Sequence, residues 1–347
     1  MDYQKTIWGI LVLGCLLASS IAIRAADMHR LALSGRLLSA EELVALEKGV
    51  AEDATDADAR VRLLGYYFSN QRKSSDYRVA RQRHVLWFIK NDPESKVLGS
   101  PYGSLSPHSD REVYYSAKKH LESKIEEDPD NLTILDNAAK FFTLPDRKRA
   151  IELLERAELL DENNPHWASS LGRMYLLDAR GHRETDSDIA KDALMAFKRA
   201  YDLSSGAAKD RLLISLSKAA FMSKEYKEAK LYATRLLEGV GASWNSGNQT
   251  HHGNVILGCI AFHEGDTESA KTHLLLAGKT SGSPQLNSFG PNMTLAKLLL
   301  ESGHKDVVIE YFDLCATFWK GKERKLEDWK VLAAGGRIPD FGANLRY

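Results

Sequence analysis

Cysteine is scarce in this chain, with three residues in 347, and that scarcity removes two classes of protein at once. Cys15, Cys259 and Cys315 have neither the paired spacing of a zinc site nor the density of a disulfide framework. Cys259 and Cys315 fall at packing positions of helical patterns, where a thiol behaves as a small apolar residue. Proline is also sparse, at nine residues, while 44% of the chain is apolar. That balance fits a folded, helix-rich protein rather than a disordered one. Excess charge of either sign is missing, since 47 basic residues match 47 acidic ones and no lysine- or arginine-rich block interrupts the mixture. Without a basic stripe, nucleic acid is not an expected partner. Catalytic signatures are absent too. There is no G-x-S-x-G, H-E-x-x-H, P-loop or G-x-G-x-x-G, and the pairs Glu41-Glu42 and Glu126-Glu127 sit at helix ends or exposed faces. No catalytic residue, cofactor or metal is expected.

The first residues differ from the rest. Lys5 precedes an uncharged, mostly apolar run from Ile7 to Ile23, which Arg24 closes. A basic start, an apolar core and small residues before Ala22 or Ala25 read as an export signal. The run is at the lower edge of a bilayer-spanning length, so a retained anchor through residues 7–23 is the alternative. Val12-Leu13-Gly14-Cys15 adds a third reading, a lipidated Cys15, against a poor leucine before the glycine. Each reading exports the remainder or tethers it to a membrane. Three N-x-T sequons, at Asn131, Asn248 and Asn292, matter only where exported chains are glycosylated.

What the chain has in abundance is one recurring helix-hairpin pattern. Leu257-Gly258, Ala261, Gly265, Ala270, Leu274 and Ala277 form its clearest copy; Leu171-Gly172, Tyr175, Ala193, Phe197 and Ala200 form another. Small residues recur twelve apart in Ala138/Ala150, Ser217/Ala229, Gly258/Ala270 and Ala296/Val308, while Gly172/Ala193 are farther apart. Helices that cross closely need small side chains at the crossing, which gives the interval a steric cause. These motifs resemble the tetratricopeptide repeat (TPR), a helix-turn-helix unit of about 34 residues. The resemblance implies an all-α, TPR-like α-solenoid of antiparallel helix hairpins, with capping helices at both ends.

The expected organisation is a signal peptide or anchor over 1–25, then an N-terminal cap, a degenerate repeat-like unit and an extra helix over 39–127. Five repeats occupy 131–319, and a capping helix with an irregular tail fills 320–347. The degenerate unit spans Ala57 to Asp92, with a drifting second helix, and a Pro-Gly-rich bend from Gly99 to Pro107 follows it as a hinge or loop. Asp178 to Lys191 reads as a polar loop inside one hairpin.

Irregular intervals are where a repeat protein can carry a specific site. The connection after Leu236 is longer than the regular one by seven residues, and the connection after Ala277 by four. Being consecutive, these two loops, 243–253 and 281–293, are expected to be neighbours. Together they offer Trp244, Asn245, Asn248, His251, His252, Gln285, Asn287 and Phe289 as candidate binding residues. Amides and imidazoles supply hydrogen-bonding groups, and Trp and Phe supply apolar area. The same residue types also serve turns and packing. The two segments are similar to loops of exported bacterial TPR proteins, which implies no particular activity. TPR resemblance implies a non-enzymatic scaffold that binds a protein or peptide, exported or membrane-tethered. The alternatives are a small-ligand receptor or enzyme that uses the two long loops, and an anchored subunit of an envelope assembly complex.

Overall fold

A computed structural model of the chain describes residues 28–179, 186–239, 241 and 245–345. All regular structure among them is helical, and the chain divides into two compact units, Met1–Leu160 and Asp161–Tyr347.

In the first unit, α1 (28–35), α2 (Ala40–Glu52), α3 (Ala57–Asn70), α4 (Ser75–Asn91), α5 (Arg111–Glu127), α6 (Leu132–Phe142) and α7 (Arg147–Leu160) follow one another. Each boundary has a local cause. Ser39 and Glu42 form a reciprocal capping box at the start of α2. Asp56, Ser74 and Asn131 accept backbone N–H groups at the starts of α3, α4 and α6, each satisfying donors that a helix leaves unpaired. The Leu64-Gly65 pair has a steric reason. A methyl on Gly65 would collide with the Ala32 carbonyl of α1, and one on Gly35 with the Arg62 carbonyl of α3. The second helix of the degenerate unit, α4, runs unbroken for 17 residues. Its apolar faces bury Val85, Phe88 and Ile89, and burial overrides a charged, weakly patterned sequence. The Gly99–Pro107 bend is a packed turn rather than an open loop. Ser100 caps a 3-10 turn at Pro101–Gly103, Tyr102 stacks edge-on against Phe68 at 5.2 Å, and the Arg81 guanidinium donates to the Ser104 carbonyl.

In the second unit, α8 (Pro165–Ala179) pairs with α9 (Asp186–Leu203), and α10 (Gly206–Met222) with α11 (Tyr226–Glu238). Next, α12 (Ser246–His263) pairs with α13 (Thr267–Gly278), α14 (Pro284–Phe289) intervenes, and α15 (Thr294–Glu301) pairs with α16 (Lys305–Ala316). The last helix is α17 (Glu323–Ala334). Within this unit each hairpin packs on the next in sequence. Three hairpins share one turn. Lys224, Gly265 and Gly303 all adopt positive φ, at 63°, 84° and 84°. In each case the following N–H reaches back across the turn, Glu225 to Ala220, Asp266 to Ala261 and His304 to Leu299, at 2.9, 2.8 and 2.9 Å. This is a Schellman closure, which turns the chain straight into its partner helix. The small residues twelve apart straddle these turns, and Ser217, Ala229, Ala270, Ala296 and Val308 are fully buried. At the far end Trp319, Trp329, Phe312 and Phe341 close an aromatic cluster, with Lys325 over the Trp329 ring at 4.6 Å.

Candidate functional site

The two segments expected to form loops are largely helical. α12 begins at Ser246, so Asn248, His251 and His252 lie inside a helix, and α14 occupies the middle of the second segment. Gly, Asn, Thr and His are poor helix formers, yet α12 is buried along much of its surface, from Gly247 to Ala261. Tertiary packing holds it. Close approach demands glycine at 247, where a methyl would strike the Gly282 carbonyl.

The segments are neighbours, joined by a polar seam. Asn248, 3% exposed, donates through Nδ2 to Asn245 Oδ1 at 2.7 Å and to Gln285 Oε1 at 3.0 Å. Its Oδ1 accepts from Ser283 Oγ at 2.8 Å, and Ser283 also caps α14 through the Leu286 N–H. His251, fully buried, completes the seam. The Asn292 N–H donates to its Nε2 at 2.9 Å, so Nδ1 carries the proton and donates to the Ala277 carbonyl at 3.1 Å. Burial drives the His251 pKa down to about 4 despite that carbonyl, because a charged imidazole is costly away from water. Of the eight sequence-derived candidates, Asn245, Asn248 and Gln285 therefore meet, and His251 ties the same region together. Asn287 and Phe289 are exposed and do not join them. Trp244 lies outside the described residues. No cluster of metal-ligating side chains occurs among the described residues, and burial of Asn248 and Asn292 leaves Asn131 as the accessible sequon.

His252 is different, because it lines a cavity of about 200 Å³. The apolar wall comes from Phe221 and Met222 of α10 and from Val255 and Ile256 of α12. Thr294 opens α15, and Leu345 closes the cavity from the C-terminal segment. Lys218 is the lining cation, and no carboxylate lines the cavity among the described residues. Cys259 forms part of the wall, its thiol pushed up to about 12 by burial, which keeps it protonated and unreactive near neutral pH. His251, Asn287 and a carboxylate do not converge here. Leu345 is held in place by Asn344, which donates to the Phe289 and Pro291 carbonyls at 3.1 and 2.9 Å and accepts the Met293 N–H at 2.8 Å.

The first unit holds a polar cluster that spacing does not reveal. Arg60 Nη1 donates to His84 Nδ1 at 3.2 Å, so Nε2 carries the proton and donates to Glu47 Oε1 at 3.1 Å. Tyr67 donates to the same oxygen at 2.6 Å, and Arg83 pairs with Glu47 Oε2 at 2.7 Å. Burial opposes ionisation of Glu47, but the bonds from His84 and Tyr67 with the Arg83 charge outweigh it and hold its pKa down at about 2. Burial lowers the His84 pKa more than the Glu47 contact raises it, so the ring is neutral. Burial, then Glu47, raises the Tyr67 phenol. With Nδ1 occupied by Arg60 and the ring fully buried, His84 has no lone pair free to act as a base.

No described helix is long and apolar enough to cross a membrane, and residues 7–23 with Cys15 lie outside the described residues. No family model matches this chain, and no curated protein matches it either.

Proposed function

We propose that the chain is a TPR-like helical-repeat scaffold that binds a peptide segment of a partner protein without transforming it. It presents the cavity lined by α10, α12 and α15 to one bulky apolar side chain of that peptide. The observation that carries this reading is the cavity's origin: its walls come from the first helices of three successive hairpins. About 200 Å³ lies below the roughly 300–1,000 Å³ of small-molecule sites, and suits a single anchored side chain of the kind that dominates peptide recognition. Lys218, the cation of its wall, favours an acidic residue next to that anchor. The shared turn of the three hairpins supports the repeat assignment, and the N-terminal segment adds export or membrane tethering to the proposal.

Panning a random peptide library on the full chain tests it. Enriched peptides are expected to pair a large apolar residue with an adjacent acidic one. Met222→Trp, which fills the cavity, is expected to abolish their binding, and Lys218→Glu to shift enrichment toward basic neighbours. Absence of enrichment, or peptides indifferent to both variants, rejects the reading.

A further inference from the structure

The charged wall of the first unit faces a second cavity, of about 610 Å³. Arg60, Arg83 and Lys90 line it against one carboxylate among the described residues, Glu47, and both oxygens of that carboxylate are already engaged by Tyr67, His84 and Arg83. Arg60 is only 6% exposed, yet neutral groups hold it. Its Nε and Nη2 donate to the Ala54 carbonyl at 3.2 and 3.0 Å, its Nη1 donates to His84, and the Trp87 ring lies 4.3 Å from its centre. Glu47, Asp56 and Asp53 act on it only through space. A guanidinium carries five N–H donors, so these contacts leave capacity for a further acceptor. Neither Arg60 nor Lys90 forms an ion pair among the described residues. A buried cation without an anionic partner is costly, and at the base of a cavity the natural compensation is a ligand. Beside the cations, Val50, Val79, Leu86 and Trp87 supply an apolar surface.

We propose that this cavity binds a small organic anion, a carboxylate or phosphate that meets Arg60, Arg83 and Lys90, attached to an apolar body lying along Val50, Val79, Leu86 and Trp87. The volume falls within the roughly 300–1,000 Å³ of small-molecule sites, and planar donors on arginine match either head group. This site is independent of the peptide cavity in the second unit.

Calorimetric titration of the full chain with 4-phenylbutyrate, phenyl phosphate, neutral 4-phenylbutyramide and inorganic phosphate tests both halves of the proposal. At least one aromatic anion is expected to bind, with the amide and inorganic phosphate weaker by about tenfold or more. The tighter of the two anions identifies the head group. Arg60→Met is expected to remove binding. Val79→Glu and Lys90→Glu, at exposed positions that tolerate substitution, each weaken it by about tenfold and decide the matter if Arg60→Met does not fold. No saturation by either anion up to about 10 mM overturns the proposal, as does equal binding of the amide or indifference to the two exposed variants. Tighter binding of hexaglutamate than of either small anion overturns it in favour of an acidic peptide.

Discussion

His251 in the second unit and His84 in the first are both buried, both neutral and both bonded at each ring nitrogen. They differ in what they join. His251 links two uncharged backbone groups, the Asn292 N–H and the Ala277 carbonyl. His84 stands between Arg60 and Glu47, accepting from one and donating to the other. A neutral imidazole between two backbone groups closes a packed seam and ends the matter there. Placed between opposite charges, the same ring keeps them apart, so the carboxylate turns to Arg83 while Arg60 faces a cavity with only neutral partners. A buried histidine is thus structural in both units, but only in the first does it leave a charge for something else to meet.

The largest effect that would break this comparison is on stability. His251→Ala removes a packed ring and strands a buried donor and a buried acceptor, for an expected loss of about 4 kcal/mol. His84→Ala is expected to cost about 2 kcal/mol, because water from the adjoining cavity can solvate Arg60 and Glu47 keeps Tyr67 and Arg83. Urea unfolding of both variants checks the order, and equal losses would erase the distinction.

Acid sharpens it further. Only the neutral His251 ring is accommodated in the fold, whose pKa of about 4 lies below the ordinary value near 6.5. The unfolded chain therefore takes up the proton first. The His251 contribution is fully present above pH about 6.5, declines as pH falls, and is gone below pH about 4, amounting to about 3 kcal/mol. Burial lowers His84 too, with the same sign. Unfolding measured across that window should show stability rising with pH, and His251→Leu should flatten the rise.

A smaller effect tests the turn that three hairpins of the second unit share. Lys224 holds the left-handed turn position that Gly265 and Gly303 hold in the sister hairpins. Such a backbone costs a side-chain-bearing residue about 1 kcal/mol. Lys224→Gly is expected to stabilise by roughly that amount, and Gly265→Ala to destabilise by a similar one, read from thermal unfolding.

Much of the helical plan was legible in the chain. Ser39 with Glu42, Asn131 and Pro165 each carry a helix-start signal in the local sequence, and a helix begins at each of them. The two long connections were legible as neighbours, but their conformation was not. Polar, glycine-rich composition suggested loops at Ser246–His252, whereas burial against Gly282, Thr280 and Ala277 makes that stretch helical. His252 was singled out among the residues of the cavity between α10, α12 and α15, while Lys218 and Met222 were not, since nothing local distinguishes a helix face that lines a cavity from one that packs. Arg60, His84 and Glu47 carried no signal at all.

Sequence alone determined the helical periods and the caps, because each depends on neighbours within one or two helical turns, and the small-residue crossings, because each lies within one hairpin. Tertiary structure alone decided which polar side chains are buried links and which face a cavity. The contacts that settle it span 24, 37 and 41 residues, from Arg60 to His84, from Glu47 to His84 and from His251 to Asn292. No local period connects positions so far apart, and only the packing of one helix on another brings a guanidinium, an imidazole and a carboxylate within hydrogen-bonding reach.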